Sequence, residues 1–380
     1  MEESTVLHRS NTKFPPCCLK IFHDKYVLVG TYRLHKDSTR TGSLDVFDDH
    51  LNLLLSIPTY GAILDLKLSP FDSTLMVTAH STGNISLWNI SLDGPDILVK
   101  QAANIQLFDV EALISSVHFS PLNSRLICIT TTMGEVATVN IEVGEEIEAI
   151  TSPMIADYYS RIDQKLFQVQ GEEINAIEGS VMQKFDSEHQ LECWTAEFGQ
   201  LSPLENVIFS GGDDAAIMGH DLRSGETIWS NSRIHEAGVV GIKCATPNFR
   251  TNKPTSILTG SYDDHIRCLD LRMLGESLYP GHNVAPAQVS SCNLNGGVWR
   301  FSELPVPLNE TNTNGPNSTL LVCCMYDGAK IVTYNDALSQ FEVSHFLKKG
   351  HESMCYGGDW CSNFIGTCSF YDKAVQLWNP

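Results

Sequence analysis

Histidines, acids and aromatic residues gather at a few places in the second half of the chain: His189, Glu192 and Trp194; Asp213 and Asp214; His235; Tyr262, Asp263 and Asp264; Trp299 and Arg300; Tyr356 and Asp359; Tyr371 and Asp372. An imidazole beside a carboxylate can take a proton from water, and an arginine can hold the negative charge that develops on an attacked carbonyl. Their spacing matches no standard catalytic motif. There is no GxSxG elbow, HExxH, phosphate-binding loop or dinucleotide fingerprint. His345, His351, Cys355 and Cys361 do not have the spacing of a common zinc site, so no metal and no cofactor are expected.

The elements that must position these residues are strands. "TSILTGSYDDHIRCLDL" (255–271) has a run of strand formers, a tight acidic turn and a second run with alternating apolar positions, which reads as a hairpin. Similar hairpins occur at 75–90, 126–141, 207–222, 320–335 and 364–379, with a degenerate one at 26–47. Most are preceded by another short strand that ends near a turn, as in "AILDLKLSP", "LISSVHFSP", "ECWTAEFGQLSP" and "VVGIKCATP". Three strands plus a linking fourth, recurring every about 40 to 50 residues, is the arithmetic of a β-propeller blade. "LSPFDSTLMVTAHSTGNISLWNI" and "SFYDKAVQLWN" resemble the WD-repeat consensus, with Trp88 and Trp378 at the signature aromatic; Leu269 and His220 stand there in other blades.

The expected fold is therefore all-β: one WD-repeat propeller over residues 1–380 with seven blades. The chain stops after the third strand of the last blade, so "STVLHRSNT" (4–12) is expected to supply the fourth and close the ring. Two stretches break the period. Residues 142–190, with an acidic run and an amphipathic one, read as an insertion or a degenerate eighth blade, and the polar residues 305–318 read as a flexible loop within blade six.

A formal charge of −20 repels phosphate backbones and anionic lipid, so neither nucleic acid nor a membrane surface is an expected partner. The twelve cysteines contain no CxxC and fall mostly in apolar runs, which reads as buried thiols in a reducing compartment. With no secretory core at the N-terminus and no long apolar run, a cytoplasmic monomer is expected.

Propellers place ligands at the mouth where the loops entering the innermost strands meet the hairpin turns, and the acids and aromatics above fall at those positions. Asp214, Asp263 and Asp372 align with a turn aspartate whose usual role is structural, and His189 and His235 sit where its histidine partner stands. Glu192, Asp213, Asp264, Arg300 and Asp359 are not required by the repeat. Taken alone, these features describe an acidic WD-repeat protein that is either an enzyme or a non-catalytic interaction scaffold.

The order of motifs narrows this. "H..E.W.A.F" from His189 to Phe198, "SGGDD" and "GSYDDHI" each followed by "DLR", "GGVWR" at 296–300, "YGGDW" at 356–360 and "CSFYDKAVQLW" at 368–378 together resemble the WD-repeat diphthine methylesterases of diphthamide biosynthesis, also called diphthine methyltransferases. The resemblance implies hydrolysis of the methyl ester of methylated diphthine on elongation factor two, releasing methanol. The trimethylammonium of such a substrate suits a cage of Trp194, Tyr262, Trp299, Tyr356 and Tyr371 beside Glu192, Asp264 and Asp359, with Asp213 a further substrate-binding candidate. The expected chemistry is water activated by His189 or His235, oriented by Glu192 or Asp264, with Arg300 and the amides near Gly296 and Gly297 receiving the negative charge. Ser261 as a nucleophile is the covalent alternative.

Overall fold

The computed structural model describes residues 1–141, 179–272, 285–304 and 318–380, with the backbone alone of short strands at 168–169, 172–173, 177–178 and 281–282. The strands form seven sheets of four or five strands, the inner strands buried on both faces and outer ones such as Thr5–Asn11 alternating between more and less exposed positions. Their innermost strands are Pro16–Phe22, Ile63–Leu68, Ile114–Phe119, Cys193–Phe198, Val239–Cys244, Arg300–Glu303 and Cys355–Trp360. Each packs against the next and the last against the first, so the blades close a seven-membered ring around a central channel.

Closure is made by the N-terminus. Thr5–Asn11 runs antiparallel to Ala374–Asn379, with Val6 opposite Trp378, and supplies the fourth strand of blade seven. Glu2–Glu3 continues as an added parallel strand on Gln340–Leu347 of blade six. At the other irregular stretch, Gln183–Lys184 pairs with Val136–Asn140 as the outer strand of blade three, while Ile177–Glu178 adds to the edge of blade two. Residues 142–167, holding the acidic run, and residues 305–317, read as a loop, lie outside the described residues.

The core lies between blades. Val77, Ile85, Ile114, Val117 and Ile127 interlock blades two and three, all fully buried, and each such side chain contributes about 1.5–3 kcal/mol on removal from water. All twelve cysteines are free, and eleven of them are buried.

Hydroxyl-centred bonds fix the interior of several blades. Trp88 Nε1 donates to Thr78 Oγ1 at 2.8 Å, and Trp378 Nε1 donates to Thr367 Oγ1 at 3.1 Å. Where blade four has His220 in place of tryptophan, its Nε2 lies 2.8 Å from Ser210 Oγ. The imidazole thus keeps the hydroxyl contact that the indole makes elsewhere.

One backbone feature prepares the channel mouth. In six blades the innermost strand slips register by one residue just after its start, at Cys17, Leu64, Ser115, Trp194, Val240 and Tyr356. A bulge leaves that residue out of the ladder and re-aims its side chain. In blades four and seven the bulged residue is aromatic.

Candidate functional site

Trp194 of blade four and Trp299 of blade six meet with ring centroids 5.8 Å apart. Blade five lies between those blades, so the contact is possible only over the channel. Tyr262, on a hairpin turn of blade five, comes to 5.8 Å from Trp299, and Tyr356 of blade seven to 4.8 Å. Met325 and Met354 pack beneath this aromatic cluster with Val240. Glycine makes the seat of Tyr262: a Cβ on Gly238 would stand 3.0 Å from one ring edge, and one on Gly297 would stand 3.3 Å from the other and 2.5 Å from Met325 Sδ.

Acids stand close to the aromatic residues. Asp213 Oδ1 accepts a bond from Trp194 Nε1 at 3.1 Å, and its amide donates to the Glu192 carbonyl at 2.8 Å. Burial raises the Tyr262 pKa, and nearby Tyr356, Asp213 and Glu192 raise it further. The phenol therefore stays protonated, a donor at the edge of an apolar and acidic pocket. Asp264 occupies the same turn as Tyr262 with φ of 67°, a left-handed conformation that places it at the tip.

Tyr371 is 68% exposed. Its ring reaches the cluster through Phe370, which bridges it to Tyr356. Asp359 is further removed. It lies within the channel, where Oδ1 accepts from Lys20 Nζ at 2.8 Å and Oδ2 from the Ile21 amide at 2.9 Å. A carboxylate already paired and amide-bonded is occupied with blade-to-blade contacts.

The structure sets His189 and His235 inside blades, apart from the aromatic mouth. His189 Nδ1 lies 3.0 Å from Asp214 Oδ1 and Nε2 2.9 Å from Ser210 Oγ, with the side chain fully buried. Burial pushes its pKa down, but the Cys193 sulfur and the Asp214 carboxylate push it up, to about 10. His235 Nε2 lies 2.9 Å from Thr259 Oγ1, and burial lowers its pKa to about 3. Both repeat the hydroxyl-centred scaffold seen at His351, which contacts Ser369 and Thr367 at 2.7 and 2.8 Å. Ser261 Oγ donates to the Ala237 carbonyl at 2.9 Å and accepts from the Asp263 amide. At Gly296 the backbone runs so close to the Cys324 carbonyl that a Cβ would stand 2.2 Å from it, which requires glycine there.

Arg300 links the mouth to the interior. Its Cζ is 5.7 Å from the centroid of the Trp299 ring, and its Nη1 reaches Asp65 Oδ2 at 3.4 Å on blade two. Both Trp299 and Arg300 line a cavity of about 370 Å³ that continues down the channel. Trp299 Nε1 is buried without an acceptor among the described residues.

Below Arg300 is a layer that the sequence reading passed over. Lys20, Lys67, His118, Glu197, Lys243 and Glu303 line the cavity together with Asp359. Lys243 Nζ is 2.9 Å from both Glu197 Oε1 and Glu303 Oε1, and Lys67 Nζ is 2.8 Å from Asp65 Oδ1. Burial raises the Asp65 pKa, but Arg300 and Lys67 more than reverse this and hold it well below the usual carboxylate range. The signal was present in the chain: the fifth residue from the start of the innermost strand is charged or histidine in blade after blade, as Lys67, His118, Glu197 and Lys243.

No family model matches the chain. Among solved structures, a chain in the crystal structure of the mitotic checkpoint complex superposes with a TM-score of 0.65 over 100% of this chain and 93% of its own, at 10% identity, a likeness of fold. The human protein called diphthine methyltransferase is 30% identical over 177 residues, which is 45% of this chain and 32% of its own length. The Schizosaccharomyces pombe protein of that name is 30% identical over 389 residues, covering 100% of this chain and 99% of its own. That of Saccharomyces cerevisiae is 55% identical over 388 residues, again with 100% and 99% covered. Likeness of this depth across the whole length, on a propeller whose mouth gathers Trp194, Tyr262, Trp299 and Tyr356, places the chain in the diphthine methyltransferase family.

Proposed function

We propose that the protein is a carboxylic ester hydrolase that removes the methyl ester from methylated diphthine on elongation factor two, giving diphthine and methanol. The observation that carries this reading is the convergence of Trp194, Tyr262, Trp299 and Tyr356 from four blades at the mouth, directly beside Arg300. A trimethylammonium has no N–H to donate. It is held by aromatic faces and nearby carboxylates, worth about 0.5–2 kcal/mol per face.

Glu192, Asp213 and Asp264 supply the carboxylates around that cage, and the net charge of −20 draws a cationic group toward it. Below the cage, Arg300 and the unpaired Trp299 N–H are positioned to receive the oxygen on which charge develops when the ester carbonyl is attacked. Exposed Met133, Leu191, Tyr326 and Tyr371 around the same mouth suit docking of a folded protein that presents the modified histidine. Twelve free cysteines fit a reducing compartment, and we place the reaction in the cytoplasm.

The test is to incubate the purified protein with elongation factor two carrying methylated diphthine and follow the modified peptide by mass. Conversion of methyl ester to acid with release of methanol supports the reading. An unchanged peptide, with substrate binding retained, would leave the alternative of a non-catalytic scaffold.

A further inference from the structure

Among the described residues, neither histidine expected at the mouth opens onto it. His189 and His235 are locked in blade interiors, and the docked substrate protein would cover the mouth against bulk water. The polar cavity beneath Arg300 offers both a base and room for water. At about 370 Å³, with charged walls, it is roomy and polar enough for a cluster of water molecules.

Among the described residues, His118 is the one imidazole lining this cavity. Its Nδ1 lies 3.4 Å from Glu197 Oε2, and its Nε2 is buried without a hydrogen-bond partner among the described residues. The carboxylate holds the tautomer with the proton on Nδ1, so Nε2 carries the lone pair. Glu197 is itself pinned by Lys243 at 2.9 Å. Two carboxylates of the layer are poor bases by comparison: Asp65 is held low by Arg300 and Lys67, and although burial raises the Glu197 pKa, Lys243 and His118 bring it down to about 2.

Resting on the esterase reading above, we propose that His118 is the general base of the reaction and that the hydrolytic water comes from the channel side, with Glu197 as its positioning residue. Water attacks the ester carbonyl carbon while its proton passes to His118 Nε2. Negative charge forms on the carbonyl oxygen beside Arg300, and the tetrahedral species collapses by breaking the bond to the methoxy oxygen. The imidazolium returns the proton to that oxygen as methanol leaves. The new carboxylic acid ionises into solvent.

The groups facing His118 are Asp65 and Lys67 from blade two and Glu197 from blade four. Burial is the largest influence and lowers its pKa, so the ring is neutral at pH 7. The rate of the wild-type protein is therefore expected to be flat near neutrality and to fall on the acid side.

The experiment compares wild type, His118→Gln and Glu197→Gln on elongation factor two carrying methylated diphthine, with pH profiles and melting curves. Expected are a loss of at least ~10²-fold in kcat for His118→Gln with the acid limb gone, and an acid limb moved to lower pH for Glu197→Gln, because the carboxylate no longer favours the imidazolium. Activity of His118→Gln within about 3-fold of wild type, its acid limb in place, overturns the proposal. Should His118→Gln fail to fold, an unmoved limb in Glu197→Gln overturns it instead. An inactive wild type sinks the esterase reading itself, a result distinct from either.

Discussion

Arg300 of blade six lies 3.4 Å from Asp65 of blade two, on the far side of the channel. Asp65 is 2% exposed and also accepts the Val117 amide of blade three at 3.2 Å, so one carboxylate ties three blades and fixes the guanidinium under the aromatic mouth. Arg300→Lys is expected to lose about 10²–10³-fold in kcat, since the planar fork that would face the carbonyl oxygen is gone. Asp65→Asn leaves Arg300 and Lys67 without their counter-charge and should cost about 3–5 kcal/mol of stability. Steady-state kinetics and denaturant titration of the two variants separate these effects; equal kinetics for Arg300→Lys would remove Arg300 from the chemistry.

The aromatic cage is tested by binding. Trp299→Ala and Trp194→Ala each remove one face and should raise KM about 3- to 30-fold, the span of a cation–π contact. Tetramethylammonium should compete with substrate for the wild-type protein and less for either variant. Trp299→Phe keeps a face while losing the N–H, and should therefore depress kcat more than KM. An inhibition constant for tetramethylammonium that is equal in all four proteins argues against the cage.

Histidine burial sets the acid limit of the fold. Burial lowers the pKa of His80 and His351 to about 4, and with help from His189 and Arg267 respectively it lowers those of His220 and His235 to about 3. Each folded-state value is below the ordinary 6.5, so the unfolded chain binds the extra protons and stability falls as pH drops from 6.5 toward 4. Each ring costs about 1–2 kcal/mol by pH 5. Melting temperatures measured from pH 7 to pH 4.5 should fall steeply, and a flat profile would contradict the buried neutral state.

For His235 the scaffold role makes a separable forecast. His235→Gln disturbs the contact to Thr259 and should cost about 1–2 kcal/mol, a fall of about 1–3 °C in melting temperature for a chain of this length. The kcat of the folded fraction should remain within about 2-fold of wild type, whereas a base would show the ~10²-fold loss.

Deleting residues 1–12 strips the fourth strand from blade seven and exposes the edge of Ala374–Asn379. The ring loses its closure, so cooperative unfolding should shift to much lower denaturant and the protein should self-associate through the bare edge. Size-exclusion chromatography and urea titration report both; an unchanged midpoint would mean that the pairing contributes little.

Much of the fold was legible in the chain because a propeller is built from local hairpins. Their alternating strands and tight turns, from "LMVTAHSTGNISLWNI" to "CSFYDKAVQLWN", depend on neighbours in sequence, and the missing last strand pointed to the N-terminus. The aromatic residues of the mouth were legible for the same reason, since Tyr262 sits on a recognisable turn and Trp194 and Tyr356 near the start of innermost strands. Those positions follow from the repeat itself.

What faces what across the channel was decided by ring closure alone. Asp65 and Arg300 stand 235 residues apart and come together only once seven blades are in register. His118 and Glu197 belong to adjacent blades, yet "LISSVHF" and "ECWTAEF" read separately as strands with an incidental polar residue. Conversely, His189 and His235 had the right residue type for a base, but the same repeat that made them conspicuous buries them against Ser210 and Thr259. Local pattern determines strands and turns because it acts over a few residues. The partners of a buried charge are set by closure of the ring, which no window of the sequence contains.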